Sequence, residues 1–154
     1  PKKETLSVYC TIETDQPAQI PDDYIDVTAE KIRIYKNLDS IVNEKEIDRF
    51  VTKLIDRLGK LPQEVDNLIK VVKIRNIGAA LGFEKIIYKN GMLIMFFSPM
   101  STYLRSETFS EVLNKVNEGR IFEFKQTKNN RLKLITSNVT SLAKALSDVR
   151  TLVS

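Results

Sequence analysis

The chain has 154 residues with 42% hydrophobic and 29% charged side chains, a formal net charge of +4, one cysteine and no histidine, which suits a single globular domain with a real core. Without histidine no Ser-His-Asp or Cys-His mechanism can be assembled from this chain. With a single cysteine as well, an internal disulfide and a structural zinc site are both excluded.

Pro1-Lys2-Lys3 leads into alternating residues rather than an apolar block, so the start does not read as a signal peptide. Because it also lacks an initial Met, the chain is expected to be a piece of something longer. Leu6, Val8, Cys10 and Ile12 alternate with Ser7, Tyr9, Thr11 and Glu13, the period of a half-buried strand. Cys10 is expected to be a buried, inert strand residue suited to a reducing cytoplasm. Pro17 and Pro21 stiffen an extended passage through Asp22-Asp23-Tyr24-Ile25. A helix that Thr28 can cap follows, with Ile34, Leu38 and Ile41 as its apolar stripe and Tyr35 at the edge.

Asn43 and Glu46 have capping-pair spacing for a second helix, in which Ile47, Phe50, Val51, Leu54 and Leu58 recur at helical intervals. Gly59 stands where a left-handed stop belongs, and Pro62 can open a third helix. Between Pro62 and Leu81 one side carries Val65, Leu68, Ile69, Val72, Ala79 and Ala80, and another Ile74, Ile77 and Leu81. Such two-sided apolar character predicts a central, mostly buried helix ending at Gly82. Strands Lys85–Lys89 and Met92–Phe97 flank Asn90-Gly91, the strongest short hairpin signal. A helix over about Glu107–Glu118 would bury Phe109, Val112, Leu113 and Val116. A second hairpin follows, with Ile121, Phe122 and Phe124 opposite Leu132, Leu134 and Thr136. A last helix from about Val139 carries Leu142, Ala145, Leu146, Val149 and Leu152. Met92 to Phe97 is the longest apolar run, far short of the roughly 20 residues of a membrane span. The order predicts one α+β domain over residues 1–154, an antiparallel sheet with hairpins packed against about five helices.

Charge is unevenly spread. Residues 21–66 hold 11 acidic and 8 basic residues, whereas residues 67–154 hold 6 acidic and 14 basic. An acidic surface and a separate basic one are expected. No glycine-rich phosphate loop is present. Asp22 and Asp23, adjacent in an extended segment, point apart and have no third acid at ligand spacing, so neither metal nor acid–base chemistry is expected there. Lys115, Arg120, Lys125, Lys128, Arg131 and Lys133 form a modest basic patch near Phe122 and Phe124, without a recognised DNA-binding motif. Alternation around those aromatics suggests core packing rather than a base-stacking platform. Two other readings stay open: a stand-alone DNA-binding module, marked by steep salt dependence, and a small enzyme, which would need a cleft of acids.

From Pro17 to Phe97 the chain resembles the C-terminal domain of bacterial transcription-repair coupling factors. The resemblance rests on Ile20-Pro21-Asp22-Asp23-Tyr24-Ile25, Ile34-Tyr35-Lys36, Leu54 through Pro62, Asn67-Leu68, Ile74-Arg75 and Leu81-Gly82, in order and at matched spacing. Lys53 stands where the family usually has an acid, Leu58 where it has Phe, and Phe83 where it has Ile. Residues 98–154 carry no pattern matched to it. The resemblance implies a non-catalytic regulatory domain with no cofactor of its own. ATP and Mg²⁺ would serve the motor of a parent DNA translocase that displaces stalled RNA polymerase and recruits the repair protein UvrA. It further implies a cytoplasmic clamp, away from any membrane, packed on the parent's UvrA-binding module. Asp56 is then the first candidate contact, followed by Arg57, Asp22 and Asp23, and Lys53 weakens an acidic patch around Asp56.

Overall fold

The computed structural model describes residues 8–153. Along the chain run strand β1 (Thr11–Thr14), helices α1 (Thr28–Ser40), α2 (Glu44–Leu58) and α3 (Gln63–Leu81), and strands β2 (Phe83–Lys89) and β3 (Met92–Phe97). The one-turn helix α4 (Ser101–Leu104), helix α5 (Glu107–Gly119), strands β4 (Glu123–Gln126) and β5 (Leu132–Thr136) and helix α6 (Leu142–Arg150) complete it. The class is α+β, as the element order implies. Strands assemble in the order β1-β2-β3-β5-β4. The β2–β3, β3–β5 and β4–β5 pairs are antiparallel, while β1 joins β2 in parallel, making the sheet mixed. Three helices separate β1 from β2, and a crossover of that length is what a parallel neighbour needs. Leu6 and Ser7 of the predicted first strand lie outside the described residues.

The described residues divide into two units, residues 16–73 and residues 8–15 with 74–153, with the division falling inside α3.

In the helical unit, Asn43 caps α2: its Oδ1 accepts from the N–H groups of Lys45 at 2.8 Å and Glu46 at 3.4 Å. Thr28 does not cap α1. Val27 holds that position without a side-chain hydrogen bond, and Thr28 is the first helical residue. Tertiary anchors place this stretch instead. Tyr24 and Ile25 donate backbone bonds to the Pro21 carbonyl, and the Ile20 N–H donates to the Tyr35 hydroxyl at 2.8 Å. Asn67 of α3, itself buried, donates to the Pro17 carbonyl at 2.8 Å and accepts from Gln63 at 2.9 Å. Ile20, Ile25, Ile34, Leu38, Ile47, Leu54, Val65, Ile69 and Val72 form one buried cluster. Each such side chain stabilises the unit by about 1.5–3 kcal/mol. Leu58, expected in the stripe, is exposed in the final turn of α2. Gly59 takes φ 84° with ψ −162°, so α2 ends without the predicted left-handed turn; the Gly59 N–H still reaches the Ile55 carbonyl at 2.7 Å. Pro62 stands one residue before α3, where its carbonyl accepts from Val65 and Asp66.

In the sheet unit, Asn90 and Gly91 both take positive φ, 53° and 72°, as a tight two-residue turn demands. Phe83, Ile86, Leu93, Met95 and Leu134 are fully buried beneath the strands. Phe97 is the hub of an aromatic cluster, with ring centroids 4.6 Å from Phe83, 5.2 Å from Phe109 and 6.3 Å from Tyr103. Gly82 has φ 94°, and a Cβ there would fall 1.8 Å from the Tyr103 ring, whose hydroxyl donates to the Leu81 carbonyl at 2.6 Å. Only glycine fits that corner. Ser106 and Ser141 cap α5 and α6 through their hydroxyl oxygens, and α6 begins at Leu142, three residues later than expected. Cys10 is buried as expected, and burial pushes its thiol up to about 11. Ala80 is exposed rather than packed. Phe124 reaches Phe97 at 6.0 Å yet stays 43% exposed, because β4 is an edge strand paired on one side only.

Candidate functional site

All four residues singled out from the sequence lie in the helical unit. Asp22 and Asp23 sit in a turn rather than in the extended segment expected, because Tyr24 and Ile25 both bond back to Pro21. Asp22 is exposed and forms an ion pair with Lys31 of α1. Asp23 is exposed, with no ion pair among the described residues.

Asp56 and Arg57 occupy the last turn of α2. The Arg57 Nη2 lies 2.5 Å from the Oε1 of Glu30 in α1, and Arg33 binds the same carboxylate. These two guanidinium groups, Arg33 foremost, hold the Glu30 carboxyl below its ordinary range. Glu30 therefore clips α1 to α2, while Asp22 is tied to the neighbouring Lys31. Asp22 and Arg57 thus converge on the first turn of α1. Asp56 does not join them. It precedes Arg57 by one residue, about 100° around the helix, and projects to solvent with no ion-pair partner among the described residues. Nearby, Tyr24 holds a buried hydroxyl without a hydrogen-bond partner among the described residues; desolvation raises its pKa, and the Arg57 charge opposes that shift.

Between α1 and α2 lies a groove of about 460 Å³ that sequence reasoning missed. Ile34, Phe50 and Leu54 supply its apolar lining, with Arg33, Lys53 and Arg57 as its cations. The signal was present in the sequence: Phe50, Lys53, Leu54 and Arg57 fall at i, i+3, i+4 and i+7, one stripe of a helix. Lys53, a departure from the family pattern, is one of the cations of this groove.

The basic half of the chain is less open to partners than its composition suggests. Lys115 pairs with Glu118, Lys125 with Glu123 and Arg131 with Glu84. Arg131 and Lys133 lie over the Phe96 ring, 5.6 and 5.7 Å from its centroid. Phe122 is buried as the alternation suggests, whereas Phe124 touches the Phe97 ring at 6.0 Å but stays exposed on the edge strand, against the expected core packing. No helix among the described residues is long and apolar enough to cross a membrane, and no group of three or more His, Cys, Asp or Glu among them could hold a metal ion.

The model of the TRCF domain family matches residues 14–107. A transcription-repair-coupling factor from Rickettsia conorii is 30% identical over 135 residues, 87% of this chain and 11% of the relative. Those from Rickettsia prowazekii and Escherichia coli K12 are 37% and 31% identical over 51% and 56% of this chain, and 7% and 8% of their own lengths. The chain thus spans about a tenth of such relatives. A crystal structure of the C-terminal domain of transcription-repair coupling factor superposes with a TM-score of 0.80 at 17% identity, covering 96% of this chain and 91% of that one.

Proposed function

The chain belongs to the transcription-repair-coupling factor family, and from that premise we propose that it is the regulatory domain of such a factor, a clamp that packs on the parent's UvrA-binding module. In this reading the parent is an ATP-dependent, Mg²⁺-requiring DNA translocase that displaces stalled RNA polymerase, and the domain itself does no chemistry. The clamp covers the surface that recruits UvrA and restrains the motor until it is released.

Asp56 carries the reading. Packing accounts for Leu54, and helix termination for Gly59 and Pro62, but neither requires an unpaired carboxylate on the solvent side of the same corner. An exposed rim pair contributes at most about 1 kcal/mol, whereas cutting one partner of a desolvated pair costs roughly 2–5 kcal/mol. A clamp that opens on cue falls between those limits, because a few such contacts bias a closed state without locking it.

In the full-length factor, Asp56→Ala should raise UvrA binding and basal ATP hydrolysis together, by about 5- to 150-fold, the span of a typical coupling energy. Deleting the whole domain and finding both activities unchanged would sink the proposal. If deletion activates but Asp56→Ala is silent, the clamp stands and the contact lies elsewhere on residues 21–66. DNA binding through the C-terminal half is the weaker reading, since three of its cations already face acids of the same chain.

A further inference from the structure

We propose that the α1–α2 groove is a docking site for a short acidic segment of a partner protein, anchored by apolar side chains on the groove floor. The proposal concerns a different surface from the one that carries Asp56, and it stands whether or not the domain is a clamp.

Charge complementarity selects the occupant. Arg33 and Arg57 share one carboxylate, that of Glu30, and Lys53 has no ion-pair partner among the described residues. Three cations around the groove are therefore answered by a single anion. This happens inside the stretch of chain that is acidic by composition, with 11 acids against 8 bases over residues 21–66. The excess positive charge is local to the groove, and a like-charged segment would be repelled there. Planar guanidinium forks suit carboxylates in particular, and the way Glu30 sits, 2.5 Å from Nη2 of both Arg33 and Arg57, already displays that recognition within the chain.

The floor adds a second requirement. Phe50 is half-buried and, with the edges that the otherwise buried Ile34 and Leu54 present to the groove, leaves an apolar floor that a wholly hydrophilic anion would not cover. At about 460 Å³ the groove lies within the usual range of ligand sites and is open between two helices. An amphipathic segment that lays apolar anchors into such a groove and turns carboxylates to the rim meets both requirements.

The test uses the 154-residue chain and a fluorescent peptide of about 16 residues, with Leu at i, i+3, i+4 and i+7 and Glu at most other positions. Anisotropy should show saturable binding that weakens as salt rises from about 0.05 to about 0.3 M. Lys53→Glu should reduce affinity by about tenfold or more, with Lys53→Gln intermediate and both variants keeping the parent's thermal midpoint, since the side chain is exposed. Replacing Leu by Ser in the peptide should abolish binding, and replacing Glu by Lys should do the same. Equal binding of the Lys peptide, or unchanged affinity in Lys53→Glu, would overturn the proposal. Displacement of the Glu peptide by a DNA duplex carrying no apolar anchor would overturn it too, assigning the groove to nucleic acid.

Discussion

The two units solve the burial problem differently, and the difference shows where recognition can be placed. In the sheet unit, Phe83, Ile86, Leu93, Met95 and Leu134 are all at zero exposure, and an aromatic hub locks the corner between α3 and β2. In the helical unit only Ile47 reaches zero among the clustered residues; the others keep a few per cent, and a groove stays open between two helices. Paired strands bring side chains into registered rows that close on each other, whereas two helices meet along stripes and can leave a channel beside them. The helical unit also lies wholly inside the family match, which ends at residue 107, well before the end of the sheet unit. The proposed recognition surface thus lies in the unit that the family match covers whole.

The sharpest way to break this contrast is at its hubs. Phe97→Ala should cost about 3–5 kcal/mol in denaturant unfolding, because it removes the ring on which Phe83, Tyr103 and Phe109 converge. Ile47→Ala should cost about 2–4 kcal/mol, with the largest loss of amide-exchange protection within residues 16–73. Protection lost mainly within 74–153 would show that the two units are not separate in stability. Asn43→Ala should cost about 1 kcal/mol by orphaning two N–H groups at the start of α2.

A smaller effect sits in the sheet unit at Cys10. Its thiol, pushed up to about 11 from 9, keeps its proton while an unfolded thiol has lost it. The unfolded chain then binds fewer protons, so this contribution to stability is complete below about pH 9 and declines as pH rises toward 11. Thiol labelling at pH 8 should accordingly be slow in the folded chain and fast in denaturant. Fast labelling of the folded chain would contradict the burial. Least of all, Arg57→Ala should leave the denaturant midpoint almost unchanged, since the Glu30 clip is open to solvent and Arg33 remains on the carboxylate.

Much of the fold was legible because its signals are local. Asn90-Gly91 specifies its turn through backbone torsion alone, and the stripe of α2 and the two-sided pattern of α3 follow from helical period. What escaped depends on partners distant in sequence. Thr28 was a sound cap by residue type, but anchors from Ile20 and Asp22 onto α1 set its start instead. Parallel pairing of β1 with β2 cannot be read from alternation, which is the same for either direction. At the candidate site, the family resemblance pointed to Asp56 and Arg57, and the structure parts them: Arg57 is engaged by Glu30 while Asp56 is free of ion pairs among the described residues. The groove was invisible in outline because Arg33 and Ile34 come from one helix and Phe50, Lys53, Leu54 and Arg57 from another.

The most direct measurement supplies a UvrA-binding module from a transcription-repair-coupling factor as a separate protein and titrates it into the isotope-labelled 154-residue chain. The account predicts saturable binding with amide shifts confined to residues 21–66, weakened by Asp56→Ala while the spectrum of the free domain changes only around the substitution. No binding, or shifts centred on the sheet residues 83–97 and 123–136 with Asp56→Ala without effect, would contradict it.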